Sequence, residues 1–187
     1  MLINFSNNPI VIFDENEKYE IENKDIEFQL PKKLKQIFEW NIPNKIFAIN
    51  WPGSFTALRV CCLCLNTINL IHKKQIKILE TSKINIYKYS YKKWLIPKTW
   101  FIFIWQKKNV RNYNFEEDFH QKFPLDKIKD FEKDYFSEIN KNNLVSLEYK
   151  DKIITLSYKK KLIKIPENLF SVSKFIKPNY MMDVNIS

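Results

Sequence analysis

Glycine is almost missing from this chain. Gly53 is the only one among 187 residues, where average usage gives about 13. That scarcity excludes a Walker phosphate loop and a dinucleotide-binding fingerprint, since both use several glycines to bring backbone against phosphate. Arginine is nearly as rare, with Arg59 and Arg111 alone, and histidine is limited to His72 and His120. His120 follows Glu116, Glu117 and Asp118, a run that reads as an acidic surface patch rather than a metal site. No serine sits in a nucleophile elbow. The cysteines, Cys61, Cys62 and Cys64, share one apolar run. Neighbours on a single helix cannot bridge one another in good geometry, and they lack the loop spacing of a zinc site. They read as small buried hydrophobes in a reducing, cytoplasmic setting. Nothing compels catalysis, so no catalytic residue, metal or cofactor is expected.

No basic segment followed by an apolar stretch opens the sequence, so no signal peptide is expected. The longest apolar run, Phe55 to Ile71, carries Arg59, Asn66 and Asn69. It is also short for a bilayer span, and no membrane association is expected.

What is present is apolar and basic. Apolar residues make up 45% of the chain and the net charge is +10, enough for a packed core in one domain or one domain with a small second lobe. The charge suits an acidic partner such as nucleic acid. It is almost all lysine scattered among Asn and Ile, however, which is the pattern of a solvated face in a drifted composition.

Read along the chain, Leu2 to Phe5 and Pro9 to Phe13 form short strands, with Tyr19 to Glu22 and Ile26 to Gln29 continuing a meander. Pro31 opens a first helix running to Trp40, with Leu34, Ile37 and Phe38 at helical spacing. Lys45 to Asn50 ("KIFAIN") is a compact strand. The loop Trp51-Pro52-Gly53 leads into a long helix capped by Ser54, and Gln75 to Leu79 is the next strand. Trp100 to Trp105 ("WFIFIW") is a core strand that turns back through Val110 to Phe115. Pro124 opens an amphipathic helix carrying Leu125, Ile128, Phe131, Tyr135 and Ile139. Leu144 to Tyr149 and Ile153 to Tyr158 form a hairpin across "KDK", with Leu162 to Ile165 as an edge strand. Alternating strands and helices point to an α/β sheet in an N-terminal subdomain, residues 1–90, followed by a smaller α+β subdomain, residues 91–187.

Two features concern function. A strand, a tight turn and a helix start make an anion site when the backbone N–H groups of Phe55, Thr56 and Ala57 point outward; the same geometry is also an ordinary strand-to-helix connection. The helix from Ser54 is apolar in nearly every direction, and a small chain struggles to cover such a helix on all sides. Its uncovered side is expected to meet another protein; the alternative is a helix wholly internal to the core.

"PGSFTALR", Pro52 to Arg59, resembles the "GPGSFTGLR" signature of the TsaB family, also called YeaZ. The tail "KPNYMM" is similar to that family's "P-x-Y-L-R", with Pro178 and Tyr180 matching and Met182 replacing arginine. "INFS" stands where the family has "IDTS". The likeness covers residues 1–85 and the tail. It implies a reduced actin/Hsp70-like (ASKHA, ribonuclease H-like) α/β fold with mixed sheet and helices. It also implies a non-catalytic accessory role in making threonylcarbamoyladenosine in tRNA. The implied partners are a TsaD-like catalytic subunit and a TsaE-like ATPase, with tRNA reached indirectly and homodimer formation through the same helices. On that basis Pro52, Gly53, Ser54, Phe55, Thr56 and Arg59 form the motif loop, and Leu34, Ile37, Phe38, Leu58, Cys62 and Leu65 the partner interface. Asn4 replaces an aspartate, and Trp51, Ala57 and Cys61 stand where the family often has glycine, so the loop is bulkier and less able to wrap phosphate. The rival readings are a degenerate ASKHA nucleotide-binding enzyme and a stand-alone basic RNA-binding module.

Overall fold

The computed structural model describes residues 1–6, 9–14, 17–40, 42–50, 54–72, 76–93, 100–105, 109–114, 119–124, 145–158 and 161–178; at 100–105, 109–114, 119–124, 145, 146 and 158 it describes backbone alone. Two compact units emerge. One comprises Met1–Ile86, Tyr149–Ile154 and Ile165–Ser187, the other Tyr87–Glu148 and Thr155–Lys164. The expected division at residue 90 differs from this one at the C-terminal end, where the chain returns to the first unit.

That unit is built on a mixed sheet. Strands β1 (Leu2–Asn4), β2 (Ile10–Asp14) and β3 (Glu17–Ile21) form a meander, followed by helix α1 (Ile26–Trp40), β4 (Lys45–Ile49), helix α2 (Phe55–Ile71), β5 (Lys77–Thr81) and helix α3 (Lys83–Lys92). A last strand, β12 (Ser171–Ser173), completes a six-stranded sheet in the order β12-β5-β4-β1-β2-β3. β1 pairs antiparallel with β2 and parallel with β4, which is parallel to β5. The first five strands therefore lie 3-2-1-4-5 with the second reversed, the ribonuclease H-like order expected for a reduced actin/Hsp70-like α/β fold.

Local sequence explains these choices. β4, "KIFAI", buries four of its five side chains, as a central strand covered on both faces must. β3 sits at the edge and exposes Glu17, Lys18 and Glu20, charges that discourage further pairing. The fourth strand expected over Ile26 to Gln29 is instead the opening of α1. Ile26, Leu30, Leu34, Ile37 and Phe38 form one buried stripe at helical spacing, and that longer period outweighs a four-residue alternation. Asp25 takes a positive φ of 57° to turn the chain, and its carbonyl accepts the Phe28 and Gln29 N–H groups. Pro31 thus lies inside the helix rather than at its first position. α3 was not expected; Ser82 starts it by accepting the Asn85 N–H at 3.0 Å.

β6 (Trp100–Trp105), β7 (Asn109–Asn114) and β8 (Phe119–Pro124) form an antiparallel sheet. β6 and β7 are as expected from "WFIFIW" and the turn after it, whereas β8 runs through the histidine of the anticipated acidic patch. The helix expected after Pro124 lies outside the described residues. A third sheet has the order β11-β10-β9, from β9 (Val145–Lys150), β10 (Ile153–Tyr158) and β11 (Lys161–Ile165). Its "KDK" hairpin turns on Asp151 and Lys152, both with positive φ, 50° and 63°, as a two-residue turn matched to strand twist requires.

Candidate functional site

In an open α/β sheet the carboxyl ends of the parallel strands are where ligands and loops gather. Here register brings Asn4 of β1 opposite Ile49 of β4, and Ile49 opposite Thr81 of β5. Asn4, Ser6, Asn50 and Thr81 are buried polar residues at this edge. The Asn50 N–H donates to the Thr81 carbonyl at 2.8 Å, and the Phe5 N–H to the Ile49 carbonyl at 3.2 Å. Asn4 stands where a family carboxylate is expected. Its Oδ1 accepts both the Ser6 N–H, at 3.2 Å, and the Ser6 hydroxyl, at 2.7 Å. The side chain closes the turn after β1, a local role that needs no charge.

The motif segment leaves this edge as α2. Trp51, Pro52 and Gly53 lie outside the described residues. Ser54 caps the helix as expected, its Oγ accepting the Ala57 N–H at 3.1 Å while its carbonyl accepts the Leu58 N–H. One of the three donors considered for an anion is therefore committed to the cap. Phe55, Thr56 and Arg59 are exposed, and the Arg59 guanidinium lies 5.4 Å from the centre of the Phe55 ring.

α2 is not wrapped on every side. Ala57, Leu58, Cys61, Cys62, Leu65 and Asn69 face inward on one arc. Phe55, Leu63, Leu70 and Ile71 face outward, 46%, 68%, 62% and 67% exposed. The residues expected at the partner interface lie inside the chain. Leu34, Ile37, Phe38, Leu58, Cys62 and Leu65 are all buried; α1 and α2 pack on each other and α1 also meets β3, with Phe38 stacked on His72 at 5.9 Å. These six are interior residues of the chain itself. The sequence placed the apolar helix correctly but could not tell its inner arc from its outer one, since both are apolar.

The thiols are inert. Burial pushes Cys61 far up and Cys62 up to about 12, with Glu80 adding to the latter, and raises Cys64 as well. A thiol held protonated is neither a nucleophile nor a metal ligand. Among the described residues no group of three or more His, Cys, Asp or Glu side chains could hold a metal ion. No helix among them is long and apolar enough to cross a membrane.

The C-terminal segment joins this site, which the sequence did not foretell. Asn66 of α2 donates from Nδ2 to the Ile176 carbonyl and accepts the Ile176 N–H at Oδ1, both at 2.9 Å. Asn50 Nδ2 donates to the Lys177 carbonyl at 2.9 Å, with a longer contact of 3.4 Å to Glu80 Oε2. Ile176 itself is 1% exposed. Two asparagine amides, one just before the loop into α2 and one within α2, therefore stitch this region to the C-terminal segment, far away in sequence. The one available signal was Asn66, a polar residue inside a greasy run, and it reads equally well as an argument against a membrane span.

The first unit is thus a ribonuclease H-like sheet whose carboxyl edge is closed by a C-terminal strap. No family model and no curated protein matches the chain by sequence. Among solved structures it is similar to "YeaZ from Pseudomonas aeruginosa", with a TM-score of 0.40 and 13% identity over 66% of this chain and 65% of that one. It is also similar to an uncharacterised protein described as resembling peptidase YeaZ from Pseudomonas aeruginosa, with a TM-score of 0.42 and 13% identity over 68% and 67%. The chain spans about two thirds of the length of each (65% and 67%).

Proposed function

We propose that this chain is a non-catalytic scaffold subunit. It pairs with a TsaD-like catalytic subunit of the machinery that makes threonylcarbamoyladenosine in tRNA, and touches tRNA only through that complex. The observation that supports this most directly is the outward arc of α2. Four large apolar side chains, Phe55, Leu63, Leu70 and Ile71, lie exposed on one helix, and contiguous apolar surface on a helix face commonly marks a protein partner. The motif likeness from Pro52 to Arg59 supports the choice of partner. Asn4 argues against the nucleotide-enzyme rival, because its amide is engaged with Ser6 and carries no charge to hold a hydrated metal.

Co-purification with a TsaD homologue from the same source tests the reading. The native chain should form a stable complex, and Leu63→Glu or Leu70→Glu should abolish it while the variant keeps native circular dichroism. Failure of the native chain to pair, or pairing undisturbed by both substitutions, would sink the proposal. Tight tRNA binding by the chain alone, falling steeply with salt, would favour an RNA-binding module instead.

A further inference from the structure

The amino ends of β1 and β4, opposite the edge that carries the motif helix, border a cavity of about 560 Å³, a volume in the range that small-molecule sites occupy. Its floor is buried and largely apolar, made by Met1, Phe47 and Tyr149, with the two rings tilted at 54° and their centres 6.0 Å apart. Asp14, at the end of β2, is half-buried in the wall, and Asp151 and Glu167 are exposed at the rim. All of these residues belong to the first unit.

Tyr149 departs from the usual rule for a buried phenol, which is to find a hydrogen-bond partner. It is 9% exposed, yet among the described residues nothing hydrogen-bonds its hydroxyl. Burial raises this phenol, and the Asp14 and Glu167 carboxylates raise it further, so it stays neutral within reach of negative charge. An incoming anion would meet those carboxylates. A group rich in N–H donors suits carboxylate, phenol oxygen and ring face alike.

The cavity already holds one cation of its own. Lys45 Nζ donates to both Glu167 oxygens, at 2.8 and 2.9 Å, and lies 5.8 Å from the centre of the Phe47 ring. Asp14 and Tyr149 repeat that pairing of carboxylate with aromatic ring. Lys152, the other lysine of the lining, is exposed beside Asp151, and the Met1 nitrogen donates to the Lys45 carbonyl at 3.3 Å. We propose that this cavity binds a small organic cation, a guanidinium or primary amine with a carbon body. Its N–H groups reach Asp14 and the Tyr149 hydroxyl while the body lies on the rings of Phe47 and Tyr149. The site shares no residue with the outer arc of α2, so it stands or falls apart from the scaffold reading.

Titration of the full chain with butylguanidinium, followed by NMR, tests this. Signals of Phe47 and Tyr149 should shift saturably, and butyrate at the same ionic strength should bind at least about tenfold more weakly. The net charge of +10 favours the anion over the rest of the surface, so a preference for the cation reports this cavity. Tyr149→Phe keeps the ring and its shape, and should weaken butylguanidinium about tenfold through the lost hydroxyl. Asp14→Asn removes charge at nearly constant volume, and should narrow the preference over butyrate about tenfold. A titration without saturable shifts, butyrate binding as tightly as butylguanidinium, or unchanged binding in both variants overturns the proposal.

Discussion

Asn66 and Ile176, 110 positions apart, exchange two hydrogen bonds of 2.9 Å, the amide of one standing in for a neighbouring strand of the other. A backbone N–H and C=O at a buried residue need partners, and among the described residues no strand supplies them. Asn is suited to the task because one side chain carries both a donor and an acceptor. Replacing Asn66 with Ala orphans both groups beside the buried Ile176, at a cost of about 1–3 kcal/mol. Urea denaturation should show that loss, and trypsin should cut faster after Lys174 in the variant. Unchanged cleavage would mean the strap is held by something other than this pair.

Two arcs of one helix should respond in opposite ways. Leu58 is fully buried and Leu63 largely exposed. Leu58→Ala should cost about 2–5 kcal/mol through lost burial and the cavity left behind. Leu63→Ala should stay within about 0.5 kcal/mol. The measurement is the urea midpoint of each variant. Comparable losses at both sites would place Leu63 in a core and remove the docking surface with it.

How much of this was legible follows from what each signal is made of. β1, β2, β4, β5 and α2 were readable because periodicity is local, and the burial that enforces it repeats every two or 3.6 residues. Ile26 to Gln29 was misread because four residues are too few to separate those periods, and only Leu30 and Leu34 downstream settle the matter. α3 escaped notice because lysines and tyrosines interrupt its apolar positions, Ile84, Ile86 and Tyr87. Helix α2 was visible as apolar, but which arc faces α1 and the sheet depends on packing. The strap was the least legible feature. A hydrogen bond between residues 110 apart leaves no period in the sequence, and β12 is only three residues long.

The return of the C-terminal segment to the first sheet offers a contest between two kinds of contact. Lys45 and Glu167 form an ion pair at 2.8 Å, with side chains 38% and 50% exposed. Nearby, Phe170 packs edge-on against Phe47 with ring centres 5.1 Å apart and is buried. Exposed ion pairs contribute about 0–1 kcal/mol, whereas removing a buried phenyl ring costs about 3–5 kcal/mol. Glu167→Gln should therefore leave the thermal midpoint nearly unchanged while Phe170→Ala lowers it by many degrees. A larger loss for Glu167→Gln would show that charge, not the aromatic contact, fastens this segment.

The buried thiols set how the fold responds to alkali. Cys62 is raised from 9.0 to about 12, and burial also raises Cys61 and Cys64. Below pH 9 both folded and unfolded chains keep these protons. Above it the unfolded chain releases them first, so stability is lost between pH 9 and 12, by up to about 1.4 kcal/mol per pH unit for each fully buried thiol. Lys83 acts in the other direction. Burial lowers its ammonium from 10.5 to about 8, so its contribution is complete above pH 10.5 and is lost as the pH falls toward 8. One ammonium opposes three thiols, so the stability maximum should fall between pH 8 and 9, with a decline beyond it. Urea midpoints at pH 8, 9, 10 and 11 measure the curve. Cys62→Ala lowers the whole curve by opening a small cavity, but its decline above pH 9 should be shallower than that of the native chain. Parallel declines in the two proteins would show that Cys62 releases its proton as readily folded as unfolded, and that the inner arc of α2 is open to water.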